Sequence, residues 1–143
     1  VMGVVCMLLA LSIGRRNPFS FGSAGNEAFD AARPGVVRIS RHPLLLALGL
    51  WAFAHMVPNG DLAHVLLFGV FALFAGFGGR LVDRRKRREM GEAWPQLRDA
   101  VAEVPCQLGQ PFTDTALRLG AGLVLYAALI WLHPYISGVS PLV

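Results

Sequence analysis

Four histidines carry most of the chemical potential of this chain: His42, His55, His64 and His133. Three of them stand at the ends of apolar runs, where water or lipid headgroups can solvate them. His55 lies one turn inside its run and follows Trp51 by four residues, so the two share one helix face. An ionisable side chain inside an apolar span is costly and marks a functional site by default. A neutral imidazole at that position either ligates a metal or haem iron, or hydrogen-bonds a neighbouring carbonyl. His64 follows across the turn Pro58-Asn59-Gly60-Asp61. That turn is too tight to seat a porphyrin between His55 and His64.

The remaining polar motifs are of three kinds. Arg38 and Arg41 are three residues apart and suit either a phosphate grip or a membrane-surface anchor. They precede His42-Pro43, which reads as the start of a helix, because proline is tolerated where the backbone N–H has no partner anyway. Asp61 stands before an apolar run and reads as a helix cap rather than a catalytic group. In the charge run Asp83–Glu89, Asp83 and Arg87 have i,i+4 spacing, and the run reads as a solvated segment drawn to anionic lipid. Trp94, Leu97, Val101 and Val104 then repeat at helical spacing and predict an amphipathic helix on the cytoplasmic surface, with Pro95 in its first turn. Zinc-ligand spacing, a glycine-rich phosphate loop and a Ser-His-Asp pattern with context are all missing from the sequence.

The elements that must position these residues are apolar. Of 143 residues 55% are hydrophobic and 15% charged, with mean hydropathy +0.53. That excludes a disordered chain and argues against an ordinary soluble domain. Two cysteines exclude a disulfide scaffold, and Cys6 and Cys106 fall on different sides of the expected topology. A full crossing takes about 20 apolar residues. Leu62–Gly79 and Leu117–His133 approach that length, Pro43–Val57 is short, and Val1–Ile13 is shorter still. The Val start predicts a chain whose first helix is truncated and which lacks its N-terminal helices. The fold class expected is therefore all-α: a polytopic transmembrane bundle of about four helices in a single domain, residues 1–143, plus the amphipathic surface helix.

Charge orients this bundle. All 13 Lys and Arg fall on or beside residues 14–42 and 80–116, while Asp61 is the one charged residue on the opposite side. The positive-inside rule puts residues 14–42 and 80–116 in the cytoplasm. The basic balance, net +4, thus reports membrane orientation and not a nucleic-acid partner. Gly76–Gly79 and Gly120–Gly122 are small-residue surfaces that suit close helix packing, or a flat cofactor between helices.

Arg38-Ile39-Ser40-Arg41-His42-Pro43, Trp51-Ala52-Phe53-Ala54-His55 and Asn59-Gly60-Asp61-Leu62-Ala63 together resemble the NnrU membrane proteins. The resemblance continues through Asp83-Arg84-Arg85, Gly91, Trp94 and Val104-Pro105 to His133-Pro134 and Gly138, covering residues 36–138. These are bacterial proteins associated with denitrification and nitric oxide handling, similar to the haem b-containing zeta-carotene isomerase of plants and cyanobacteria. The resemblance implies a multi-pass protein of the bacterial inner membrane that binds haem b. It implies His55 as an iron ligand, with Trp51, His42 and Arg41 also at the cofactor. The second axial ligand is expected in an earlier helix, outside this chain. A hydrophobic polyene, or a respiratory or denitrification protein, would be the partner beyond the bilayer. The motif Arg41-His42-Pro43 is also similar to that of isoprenylcysteine and phospholipid methyltransferases, which use S-adenosylmethionine. The acidic pair of those enzymes is not matched, since Met90-Gly91 separates Glu89 from Glu92. A non-enzymatic accessory membrane protein is the remaining alternative.

Overall fold

The computed structural model describes residues 1–21, 26–106 and 112–141. Among them there are five α-helices, two short 3-10 turns and no strand. The helices are α1 (Met2–Ser12), α2 (Pro43–Met56), α3 (Leu62–Met90), α4 (Ala93–Glu103) and α5 (Phe112–Ser137). The 3-10 turns are Asn26–Ala28 and Gly35–Arg38. The four apolar helices lie side by side in the order α3, α2, α1, α5.

The boundaries follow local chemistry. Pro43 opens α2 at its first turn. The Asp61 carboxylate caps α3 by accepting the backbone N–H groups of Ala63 at 3.1 Å and His64 at 3.2 Å. Gly91 ends α3 with φ +56°, a conformation that side chains resist. Arg118 of α5 donates to the carbonyls of Ala10 and Ile13, 3.0 and 2.8 Å away, satisfying the C-terminal end of α1. Arg118 and Arg15 both pair with Asp114, which fastens the start of α5 to the segment leaving α1.

Two helices, α3 and α5, are long and apolar enough to cross a membrane by length and composition, while α1 and α2 are shorter apolar helices. Most of the apolar surface of α3 and α5 is not covered by protein: Leu66, Val70, Leu73, Val124 and Trp131 are all exposed. A helix serving as the core of a soluble protein would hide these side chains. The bundle interior is lined by Val5, Leu8, Leu11 and Ala47, with Leu50, Trp51 and Leu119 packed against them. Close approach depends on glycine. A Cβ on Gly122 would stand 3.1 Å from the Met7 Cα, and one on Gly79 would stand 3.0 Å from the His42 ring. Gly76 and Gly120, by contrast, meet nothing within 4 Å.

Two expectations change in detail. The charge run is not a separate segment, because α3 continues through it to Met90. At about 1.5 Å per residue, those eleven residues beyond Gly79 extend the helix by roughly 16 Å. The amphipathic helix exists as α4, but its apolar face is covered by protein. Trp94 and Val101 are 2% and 5% exposed and pack with Phe19 and Val37 into a second hydrophobic cluster.

Candidate functional site

Helix α2 carries a histidine at each end. His42 and His55 are thirteen residues apart, about 20 Å along a helix. Of the four residues expected at one cofactor, the structure brings together Trp51 and His55 at one end, and Arg41 and His42 at the other.

At the His55 end the partners are aromatic. The ring centre of His55 lies 5.1 Å from Trp51 and 5.3 Å from Phe68, and Phe71 closes on Trp51 at 5.7 Å. The Nδ1 of His55 is 2.8 Å from the carbonyl oxygen of Trp51. A carbonyl only accepts, so Nδ1 carries the proton and Nε2 keeps its lone pair. Across the bundle, His133 of α5 faces His55, with ring centres 6.3 Å apart and ring planes 26° from parallel. Its Nδ1 is engaged as well, 2.7 Å from the Val139 carbonyl oxygen and 2.9 Å from the Ser137 hydroxyl. Both rings are half-buried. Asn59 donates to the His55 carbonyl at 2.8 Å and closes the end of α2.

His64 is turned to other work. Its ring bonds the Asp61 carboxylate and stacks on Phe68 with centres 6.1 Å apart. The His64 backbone N–H, and then its ring, hold the Asp61 carboxyl below the usual carboxylate range. Asp61 is therefore a cap, as its position before the apolar run suggested.

At the other end, Asp83 of α3 receives the His42 Nε2–H on one oxygen and Arg41 on the other, each at 2.9 Å. It does not take the i,i+4 partner that spacing offered. Arg87 lies over the indole of Trp94 instead, 4.6 Å from the ring centre, and Arg98 and Arg41 stand at 5.4 and 5.9 Å. Arg38 donates to the Val104 carbonyl at 2.7 Å, holding the end of α4, and Asn17 donates to the Arg41 carbonyl at 2.8 Å. The acidic residue nearest the methyltransferase pattern, Glu89, is paired with Arg85 and Lys86.

The family model described as NnrU protein matches residues 1–141. The chain belongs to the NnrU family. No curated protein and no solved structure matches this NnrU chain. The motifs that first suggested the family divide between the two ends just described: Arg-His-Pro at the Asp83 end, Trp51 to His55 at the other. Two partners in this NnrU protein were not paired by sequence reasoning. One is His133, although the topology already put the last apolar run's end on the same side as the turn after His55. The other is the link from Asp83 to Arg41 and His42, which crosses between helices and leaves no local spacing to detect. Among the described residues there is no group of three or more His, Cys, Asp or Glu suited to a bare metal ion.

Proposed function

We propose that this NnrU protein is a multi-pass membrane protein that holds haem b between His55 and His133. The observation that carries the reading is the facing ring pair with both Nδ1 atoms engaged at backbone carbonyls. Such a bond on the far nitrogen is what fixes the tautomer and orientation of a ligating histidine. Histidine nitrogen is a donor that haem iron takes, and this pair would supply two of them. His133 thereby takes the place of a second ligand expected from upstream. Trp51, Phe68 and Phe71 supply apolar walls that exclude water. When bound, the haem supplies a redox-active iron that also serves as a Lewis acid. This chain's own part is to bind, orient and keep dry. The role that follows is haem-linked work in denitrification or nitric oxide metabolism, or cis–trans isomerisation of a polyene.

A reduced-minus-oxidised spectrum of the purified protein tests this. We expect a haem b band that is lost in His55→Ala and in His133→Ala, and kept in His64→Ala. A band that survives His55→Ala overturns the reading.

In the membrane, α1, α2, α3 and α5 cross side by side in the bacterial inner membrane, with residues 14–42 and 80–116 cytoplasmic. The one-sided distribution of all 13 basic residues supports this. Cys106 is exposed and Cys6 is buried, so an impermeant maleimide reports on Cys106 alone. Labelling is expected only after the inner membrane is permeabilised. Labelling in intact spheroplasts would reverse the orientation.

A further inference from the structure

The Asp83 end contains a cavity that the haem reading leaves unused. It occupies about 410 Å³ between the Gly35–Arg38 turn, the start of α2 and α4. Arg38, Ser40, Arg41, His42 and Arg98 line it, over a floor that includes Phe19 and Val101. Each guanidinium has five N–H donors in a fixed fork, and the bonds inside the protein use few of them. Arg38 gives its Nε to Val104, Arg41 gives one Nη to Asp83, and Arg98 bonds the neighbouring Asp99. Three arginines face two carboxylates, Asp83 and Asp99, so positive charge is in excess. Beside the cavity one buried donor also has no partner, Nε1 of Trp94. Trp94 is 2% exposed and packs on Phe19 and Val101, the apolar residues that also line the cavity. Its N–H is a donor only, and at that depth it lacks an acceptor.

We propose that this cavity binds a phosphate group, held among Arg38, Arg41 and Arg98. Planar guanidinium forks match the tetrahedral oxygens of a phosphate mono- or diester, and an anion is what the excess charge and spare donors call for. The apolar run of α2 begins at Pro43, directly after two of the lining residues, so the cavity lies where headgroups meet water. A lipid phosphodiester and a soluble phosphate both reach that level.

The test uses the full chain in detergent after exhaustive delipidation. Retention of phosphatidylglycerol against phosphatidylcholine is read by native mass spectrometry, and inorganic phosphate by phosphorus NMR line broadening. Selective retention of phosphatidylglycerol assigns the site to lipid, and phosphate broadening without lipid selectivity assigns it to a soluble ligand. In either case binding should fall about tenfold or more in the double variant Arg38→Gln/Arg98→Gln. It should be unchanged in Arg84→Gln/Arg88→Gln, which removes equal charge from exposed positions on α3. A second measurement needs no variant. The bound ligand should slow phenylglyoxal modification of Arg38 and Arg98 and leave Arg88 unaffected. The proposal is overturned if neither probe binds, if both double variants lose binding equally, or if all three arginines are modified at unchanged rates.

Discussion

The two ends of α2 hold a histidine in opposite ways. His42 is tied to a carboxylate on another helix, and the same carboxylate holds Arg41. His55 is tied to a carbonyl of its own helix and is otherwise surrounded by rings. The His42 end joins four segments through charged groups and hydrogen bonds: the start of α2, α3, α4 and the stretch leaving α1. It has its own apolar cluster of Phe19, Val37, Trp94 and Val101 beneath that charge. The His55 end has neither a cross-helix ion pair at its ring nor a separate core. What differs is therefore what each histidine can offer. At one end the ring is part of a charged framework that sets α2 against α3. At the other, the ring is bonded to its own helix and lies beside a second imidazole, the pair to which the proposed function gives the ligand role.

If the first end is framework, damage there should lower stability without touching the second. The largest effect is expected for Trp94→Ala. Truncating a side chain this deeply buried costs on the order of 3–5 kcal/mol, and here it also removes the ring under Arg87. Denaturant titration of the purified protein in detergent should show that loss. The haem band, per folded molecule, should remain that of the wild type. A band that falls in step with Trp94→Ala would mean that the two ends are one cooperative unit.

Asp83→Asn comes next. It leaves one neutral oxygen where two charged ones held His42 and Arg41, both within 2.9 Å. Unpairing partly buried polar groups of this kind costs roughly 1–3 kcal/mol. Arg41→Gln should cost less, since Arg41 is the more exposed partner, with 42% side-chain exposure against 12% for His42. The ranking, read from the same titrations, checks that Asp83 is the hub. Equal losses would make Arg41 and His42 separate contacts.

How much of this was legible depends on whether the interaction was local. The cap at Asp61, the proline start of α2 and the helical repeat from Trp94 to Val101 all declare themselves within one turn of sequence, and each is found. The all-helical architecture and two helices fit to cross a membrane follow from apolar length alone. The charge run shows where such reading stops. Composition describes it as a solvated face, and Arg84, Arg85 and Arg88 are indeed exposed. Asp83 and Lys86 turn inward, however, and Arg87 lies on an indole contributed by another helix. Nothing within the run singles out Asp83 or Arg87, because their partners come from the start of α2 and from α4. The same is true of His55 and His133, which are 78 residues apart and meet only because α5 closes the far side of the bundle.

The smallest expected effect concerns the cap beside His55, and it separates charge from capping. Asp61 is fully exposed, and its carboxyl is held below the ordinary value of about 3.9 by the His64 backbone N–H and ring. A carboxylate with a depressed folded-state pKa stabilises fully above its unfolded value. That stabilisation is lost as pH falls through the lower, folded one. Thermal midpoints measured from pH 6 downward should therefore decline at the acid end. Asp61→Asn keeps an oxygen able to cap Ala63 and His64 but has no proton to gain. Its curve should be slightly lower at pH 6 and flatter below pH 4, converging on the wild type as the native carboxylate protonates. Parallel curves would place the acid sensitivity elsewhere.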